Sequence, residues 1–312
     1  MKHSRGYLLA LASTLVFSTT GILIKYILVN FTLPPTTLAF WRSGIVSLTT
    51  LVALKLFRPA WLHLHRRDVP FYLGYGLIGV ALSQTLWVSS VSLNGAALAT
   101  VLFYVSPAFV TLYSKLFFRE PITRAKKAAL ILVLLGCALV SQVYDATQFR
   151  LGLPGVLCGL ASGLVYSGYT LFSKEATRRH HPWVAMAYAF AVGTLFLSLT
   201  QWRGNLLALG NNGKGWGVLA LLALGPTLGG YGLYTLSLRD LPAAVASLIL
   251  PLELVFTAII AFLVFGEILY PLQIVGAALI ILSILLLRPR GSSASVRATS
   301  EAEAAQEKRS AS

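Results

Sequence analysis

Apolar runs of about 20 residues, each closed by a charge, a proline or a glycine, succeed one another from Gly6 nearly to the end of the chain. Coiled at 1.5 Å per residue, a run of this length matches a hydrocarbon layer roughly 30 Å thick. Lipid offers a backbone no hydrogen-bond partners, so a helix must satisfy its own N–H and C=O groups. The pattern predicts ten spans, at about 6–29, 36–57, 70–92, 95–117, 126–144, 153–174, 183–202, 216–237, 242–265 and 270–288. The 312 residues are 56% hydrophobic and 11% charged, with a mean hydropathy of +0.75. A soluble domain carries about 25% charged residues. A surface this apolar would aggregate in water, so the expected fold class is an all-α, multi-pass membrane protein. The polar stretch 291–312 is expected to be a disordered tail.

The net charge of +15 is unevenly placed. With a cytoplasmic N-terminus, twenty of the 25 Lys and Arg residues fall in segments on the cytoplasmic side. The other side takes Arg150, Arg203 and Lys214, while Lys25 and Arg42 lie in or near spans. That bias predicts both termini in the cytoplasm and accounts for the basic excess without nucleic acid. Lys2 and Arg5 before an apolar run resemble the start of a signal peptide, but the run is too long and too rich in Ser and Thr.

The first span also has a twin. Residues 6–25 laid on 155–174 agree at nine of twenty positions: Gly6, Leu8, Leu11, Ala12, Ser13, Leu15, Val16, Ser18 and Lys25 fall on Gly155, Leu157, Leu160, Ala161, Ser162, Leu164, Val165, Ser167 and Lys174. A second block, 96–122, aligns with 243–269 and places Glu120 on Glu267. Between them, Gln84 falls on Tyr231 and Trp87 on Tyr234. The chain thus divides into repeats at 1–144 and 145–290, five spans each. An odd number of spans turns the second repeat upside down, an arrangement found in carriers whose site lies where the repeats meet.

The residues resemble those of the drug/metabolite transporter superfamily, in its ten-helix branch with two EamA domains. The resemblance rests on the Ser-bearing first span ending at Lys25 and on Arg42 in "LAFWRSGIV". It rests also on "NGAALATVLFYVSPAFVTL" running into "FREPIT", and on "LPAAVASLILPLELVFTAIIAFLVFGEIL" in the second half. It covers residues 6–288. Departures are Glu253-Leu254 with Pro251 upstream, Ser106-Pro107 without an acid, and Arg119 where the family has glycine before Glu120. The resemblance implies export of small metabolites or drugs by exchange or proton antiport. It also implies a central cavity lined by spans 1, 3, 4, 6, 8 and 9.

Charges are costly in a bilayer, so an intramembrane ion is a functional candidate. Of ten acids, Glu253 alone falls near the middle of a span, and it is the candidate proton carrier. Arg42 can bind a substrate carboxylate bidentately, neutralise Glu253, or extend to the outer interface. Lys25 and Lys174 close their spans as gates or interfacial anchors. Ser13, Ser18, Ser162 and Ser167 serve close helix packing with hydrogen bonds across the contact, or contact the solute, Ser18 being the candidate binding residue among them. Gln84, Trp87, Tyr104, Tyr166, Tyr169, Tyr231 and Tyr234 suit a cavity for an amphipathic solute, or an aromatic belt. The belt is the expected place of Trp41, Trp61, Trp183, Trp202 and Trp216. Gly225-Pro226 and Gly229-Gly230 permit a bend in span 8. Symmetry breaks where Thr19-Thr20-Gly21 meets Gly168-Tyr169-Thr170.

Other classes find less support. "HLHRRD" sets His63 and Asp68 with four residues between them, as in some acyltransferases, but within an ordinary basic loop. "GNNGKG" lacks the spacing of a nucleotide-binding loop. Cys137 and Cys158 give neither a disulfide framework nor metal-ligand spacing, and no cofactor is called for. The expectation is an inner-membrane secondary transporter of small organic metabolites such as amino acids. A passive channel or a lipid flippase is the alternative.

Overall fold

Proline and glycine set the ends of the helices. In the computed structural model, which describes residues 2–31, 33–145, 152–201, 205–266 and 268–287, α1 spans Lys2–Asn30 and α2 spans Pro35–Phe57. α3 runs without a break through Val69–Gly74, Tyr75–Leu82 and Ser83–Asn94. α4 is two pieces, Ala96–Phe103 and Ser106–Phe118, and α5 covers Arg124–Val140. α6 is Leu153–Arg179 and α7 is Pro182–Leu199. α8 joins Gly213–Leu222, Ala223–Gly230 and Tyr231–Asp240; α9 is Ala243–Ile249 and Leu252–Phe265; α10 is Pro271–Leu287. Pro35, Pro182 and Pro271 open their helices, where a missing N–H is harmless. Gly95 (φ 86°), Arg119 (φ 54°) and Gly266 (φ 65°) close α3, α4 and α9 in the left-handed region.

Among the described residues there is no strand, and eight helical stretches are long and apolar enough to cross a membrane. α5 and α10, of 17 residues each, are shorter. Boundaries depart from the sequence expectation by a few residues: α3 and α8 start earlier, and α5 ends at Val140 rather than 144. The tail 291–312, Trp202, Arg150, Arg203 and Glu267 lie outside the described residues.

The burial pattern inverts that of a soluble protein. Leu8, Leu48, Leu56, Phe57, Leu116, Leu263 and Ile274 are exposed, while Ser13, Thr14, Ser18, Ser162, Ser167 and Thr170 are fully buried. The four twin serines were expected to bond across helix contacts. They bond within their own helices instead, donating to Ala10 O, Leu15 O, Gly159 O and Leu164 O three residues back. With the hydroxyl satisfied locally, the small side chain lets a neighbour approach.

Packing partners come in corresponding pairs. α1 lies on α8 as α6 lies on α3, and α1 lies on α9 as α6 lies on α4. α2 packs on α7 and α5 on α10. Local irregularities correspond too. π-helical turns occupy Tyr75–Leu82 in α3 and Ala223–Gly230 in α8. In α8 the cause is Pro226, which has no N–H to give; Thr227 Oγ1 donates to Leu222 O at 2.8 Å. α4 breaks at Tyr104–Val105, just before Pro107, and α9 breaks at Leu250–Pro251.

Candidate functional site

The breaks in α4 and α9 lie beside one cavity of about 260 Å³ that is lined by side chains of seven helices. α1 supplies Phe17, Thr20, Gly21 and Ile24; α2 supplies Arg42; α3 supplies Ser83, Gln84 and Trp87. α4 adds Thr100, Phe103 and Tyr104, and α6 adds Tyr166. α8 contributes Thr227 and Tyr231, and α9 contributes Leu250, Glu253, Leu254 and Thr257.

Two opposite charges stand on this wall. Glu253 sits in the first turn after the α9 break, where helix N–H groups favour an anion. Tyr104 Oη, beside the α4 break, donates to Glu253 Oε2 at 2.9 Å. The two broken helices thus meet through one hydrogen bond. Thr257 Oγ1 donates to Glu253 O at 2.8 Å and to Ser18 O at 3.1 Å, fixing that turn against α1.

Arg42 is buried at 9% exposure and is held by a short relay. Its Nη2 donates to Gln84 Oε1 at 2.7 Å, and Gln84 Nε2 donates to Ser43 Oγ at 3.2 Å. Its Nε is buried without a partner. An unmet buried donor costs about 1–3 kcal/mol. No carboxylate lies within 4.0 Å of the guanidinium in the described residues, so Arg42 and Glu253 do not form a direct ion pair. The site therefore presents a fixed cationic fork and a fixed carboxylate on one cavity, with no ion pair between them.

Of the sequence candidates, Arg42, Gln84, Trp87, Tyr104, Tyr166, Tyr231 and Glu253 are on the wall. Ser18, Tyr169, Tyr234, Lys25 and Lys174 are not. Ser18 lies on another face of α1 and contributes its carbonyl instead. Tyr169 and Tyr234 are fully buried beneath the cavity, bonded to Thr235 Oγ1 at 3.2 Å and Thr170 Oγ1 at 3.0 Å. Tyr169 joins Tyr75 and Phe172 in an aromatic floor: Tyr75 is stacked on Phe172 and Tyr169 on Tyr166. Lys25 is exposed near the end of α1. Lys174 Nζ donates to Leu238 O at 2.6 Å and Leu241 O at 2.7 Å, capping the end of α8.

Below that floor a belt of charges closes the bundle. Glu120 accepts from Ala243 N at 3.0 Å at the start of α9 and lies 3.7 Å from Lys126 Nζ. Arg5 approaches Asp240 at 3.9 Å, and Tyr7 Oη donates to Leu287 O at 2.6 Å. In the loop before α3, Asp68 faces Arg179 and His180 Nε2, at 3.8 Å and 3.7 Å, while His63 is exposed. The spacing of His63 and Asp68 thus corresponds to no paired site.

Sequence reasoning missed Phe17, Thr20, Ser83, Thr100, Thr227 and Thr257 as wall residues, although Thr20 was marked where the repeats diverge. Helical phase was the available signal. From Glu253, the positions three before, one after and four after are Leu250, Leu254 and Thr257, all on the wall. From Phe17, the same face runs through Thr20, Gly21 and Ile24.

The EamA-like transporter family matches residues 4–142 and 153–288. The chain belongs to that family. The pseudopaline exporter CntI of Pseudomonas aeruginosa is 29% identical over 282 residues, covering 90% of this chain and 95% of the relative. The uncharacterized transporter sll1319 of Synechocystis is 28% identical over 256 residues, covering 78% and 76%. A solved crystal structure of a protein 18% identical superposes with a TM-score of 0.78 over 91% of this chain and 96% of the other, a likeness of fold. EamA-family relatives carry transporter names, and the chain is a multi-pass membrane transporter rather than an enzyme.

Proposed function

We propose that this EamA-family chain is a secondary transporter of the inner membrane, exporting small organic zwitterions such as amino acids by alternating access. The observation that carries the reading is that Arg42 and Glu253 line one cavity without pairing directly with each other. A carboxylate would satisfy the unmet donor of Arg42, in the fork geometry that suits it. An ammonium would meet Glu253 and Tyr104. A proton and a solute cation cannot both neutralise one carboxylate at once, so their competition at Glu253 couples export to proton uptake. The exporter name carried by CntI fits this direction.

The architecture we infer is ten membrane helices in two inverted repeats, 1–144 and 145–290, with both termini cytoplasmic. The corresponding packing pairs, π-helical turns, helix breaks and left-handed ends support it, as do the two stretches matched by the family. On this topology the aromatic floor and the Lys174 and Glu120 caps lie toward the cytoplasm. The conformation described is then outward-facing, and Lys174 is part of an inner gate.

Counterflow in proteoliposomes tests the reading. Vesicles preloaded with unlabelled leucine should accumulate labelled leucine saturably, and more strongly with an imposed proton gradient. Glu253→Gln should retain binding of the neutral form but lose the pH dependence of transport. Unsaturable flux, as from a channel, or an unchanged pH profile in Glu253→Gln would overturn the proposal.

A further inference from the structure

A second hollow opens off the first. It measures about 120 Å³ and lies between the outer ends of α1, α2 and α3, lined by Leu28, Leu38, Ala39, Val88 and Val91. Ile24, Arg42, Gln84 and Trp87 line both hollows, so the two adjoin at the charged fork. The main cavity is mixed in character, with hydroxyls, a carboxylate and a guanidinium. Apart from Arg42, Gln84 and Ser92, the side pocket is lined by apolar side chains, Trp87 among them.

We propose that this pocket receives the apolar group of the transported solute, while the charged head stays between Arg42 and Glu253. This rests on the zwitterion reading above and adds its side-chain preference. Arg42 is pinned by Gln84 at the junction. A carboxylate on its fork would sit where the two hollows adjoin, within reach of both. Small α-amino acids would fill the head site alone, and branched or aromatic ones would fill both. Each added methylene buried in such a pocket is worth roughly a tenfold gain in discrimination or more.

The pocket also explains the placement of residues the transport site leaves idle. Ala39 is buried at 3% exposure, and Val88 and Val91 present consecutive turns of one α3 face. Val88 lines the side pocket and not the main cavity. Enlarging it blocks the pocket without touching the fork.

The experiment is competition counterflow with glycine, alanine, leucine and phenylalanine, on the full chain and on Val88→Phe. The unaltered chain should prefer leucine and phenylalanine to alanine by at least roughly tenfold. Val88→Phe should weaken leucine and phenylalanine by that factor and change alanine less than twofold. Leu38→Ala, which widens the pocket, should raise phenylalanine relative to leucine. Equal weakening of all four solutes by Val88→Phe, or no weakening of any, overturns the side-pocket proposal while leaving the zwitterion reading standing. Absence of exchange by any of the four in the unaltered, folded chain overturns both.

Discussion

Tyr104 and Glu253 sit at the broken points of two different helices, and one hydrogen bond of 2.9 Å joins them. Hydrogen bonds to charged groups contribute about 1.5–3 kcal/mol. Tyr104→Phe should therefore slow leucine counterflow about tenfold or more with little change in the amount of folded protein, as read by flux and size-exclusion yield. Outside the membrane, His181 stacks on Trp61 at 4.1 Å with its Nδ1 buried and unpartnered. Burial, and secondarily Arg239, hold its imidazole below the ordinary value of about 6.5. The fold thus favours the neutral ring. That contribution is complete above pH 6.5 or so, and is lost as the pH falls below it and the unfolded chain takes up the proton. His181→Phe, which keeps the stack, should flatten that part of the melting temperature of detergent-solubilised protein between pH 7 and 5. At this scale the sequence was legible where a residue type is rare in lipid. Arg42, Gln84 and Glu253 could be found because a charged or amide group inside a span needs a reason. Thr20, Thr100 and Thr257 could not, because a threonine is unremarkable in an apolar span, where its hydroxyl can bond to its own helix. Tyr169 and Tyr234 had the right chemistry on the wrong helical face, which composition alone does not reveal.

The helices carry their own tests. α5 and α10 meet backbone to backbone at Gly136 and Gly276, where a Cβ added to either would stand 2.7–2.8 Å from the other's carbonyl oxygen. Lipid gives apolar helices no hydrophobic reason to associate, so close van der Waals approach through small residues holds the pair. Gly276→Leu should force the two apart and lower the melting temperature, while the same change at Gly217, which has open space around it, should not. At the end of α8, Lys174 joins two carbonyls that have no other helical partner. Lys174→Met should loosen that end and raise the reactivity of a cysteine placed at Thr20 toward reagents applied from the cytoplasmic face. The existence of these helices was plain from hydropathy. Their breaks were less so: Pro107 and Pro251 mark them in sequence, but proline also sits harmlessly at Pro35, Pro182 and Pro271, and only the fold distinguishes the two uses.

For the molecule as a whole, the proposed inverted repeat is the feature that would turn helices into a mechanism. Two halves related by inversion can close either end with equivalent contacts, so two packings of similar energy are available. The stretch around Lys25 and its twin around Lys174 showed this relation in sequence. The packing pairs and the paired irregularities of α3 with α8 and α4 with α9 support it in three dimensions. What sequence could not supply was which end is closed, because that depends on contacts such as Gly6 against Leu241 that join residues far apart in the chain.

The central claim is that the Arg42–Glu253 cavity opens alternately to the two sides. It is tested most directly with Thr20→Cys in a protein whose Cys137 and Cys158 are replaced by alanine, labelled with a membrane-impermeant maleimide in right-side-out and inverted vesicles. A cross-linkable pair, Gly6→Cys with Leu241→Cys, supplies the lock, since a Cβ at Gly6 would stand 2.7 Å from Leu241 Cγ. Alternating access predicts labelling of the Thr20→Cys thiol, read by peptide mapping, from both faces before oxidation, and loss of its cytoplasmic labelling alone once the lock has formed. Labelling from one face only before oxidation, or from both faces unchanged after it, would contradict alternating access at this site.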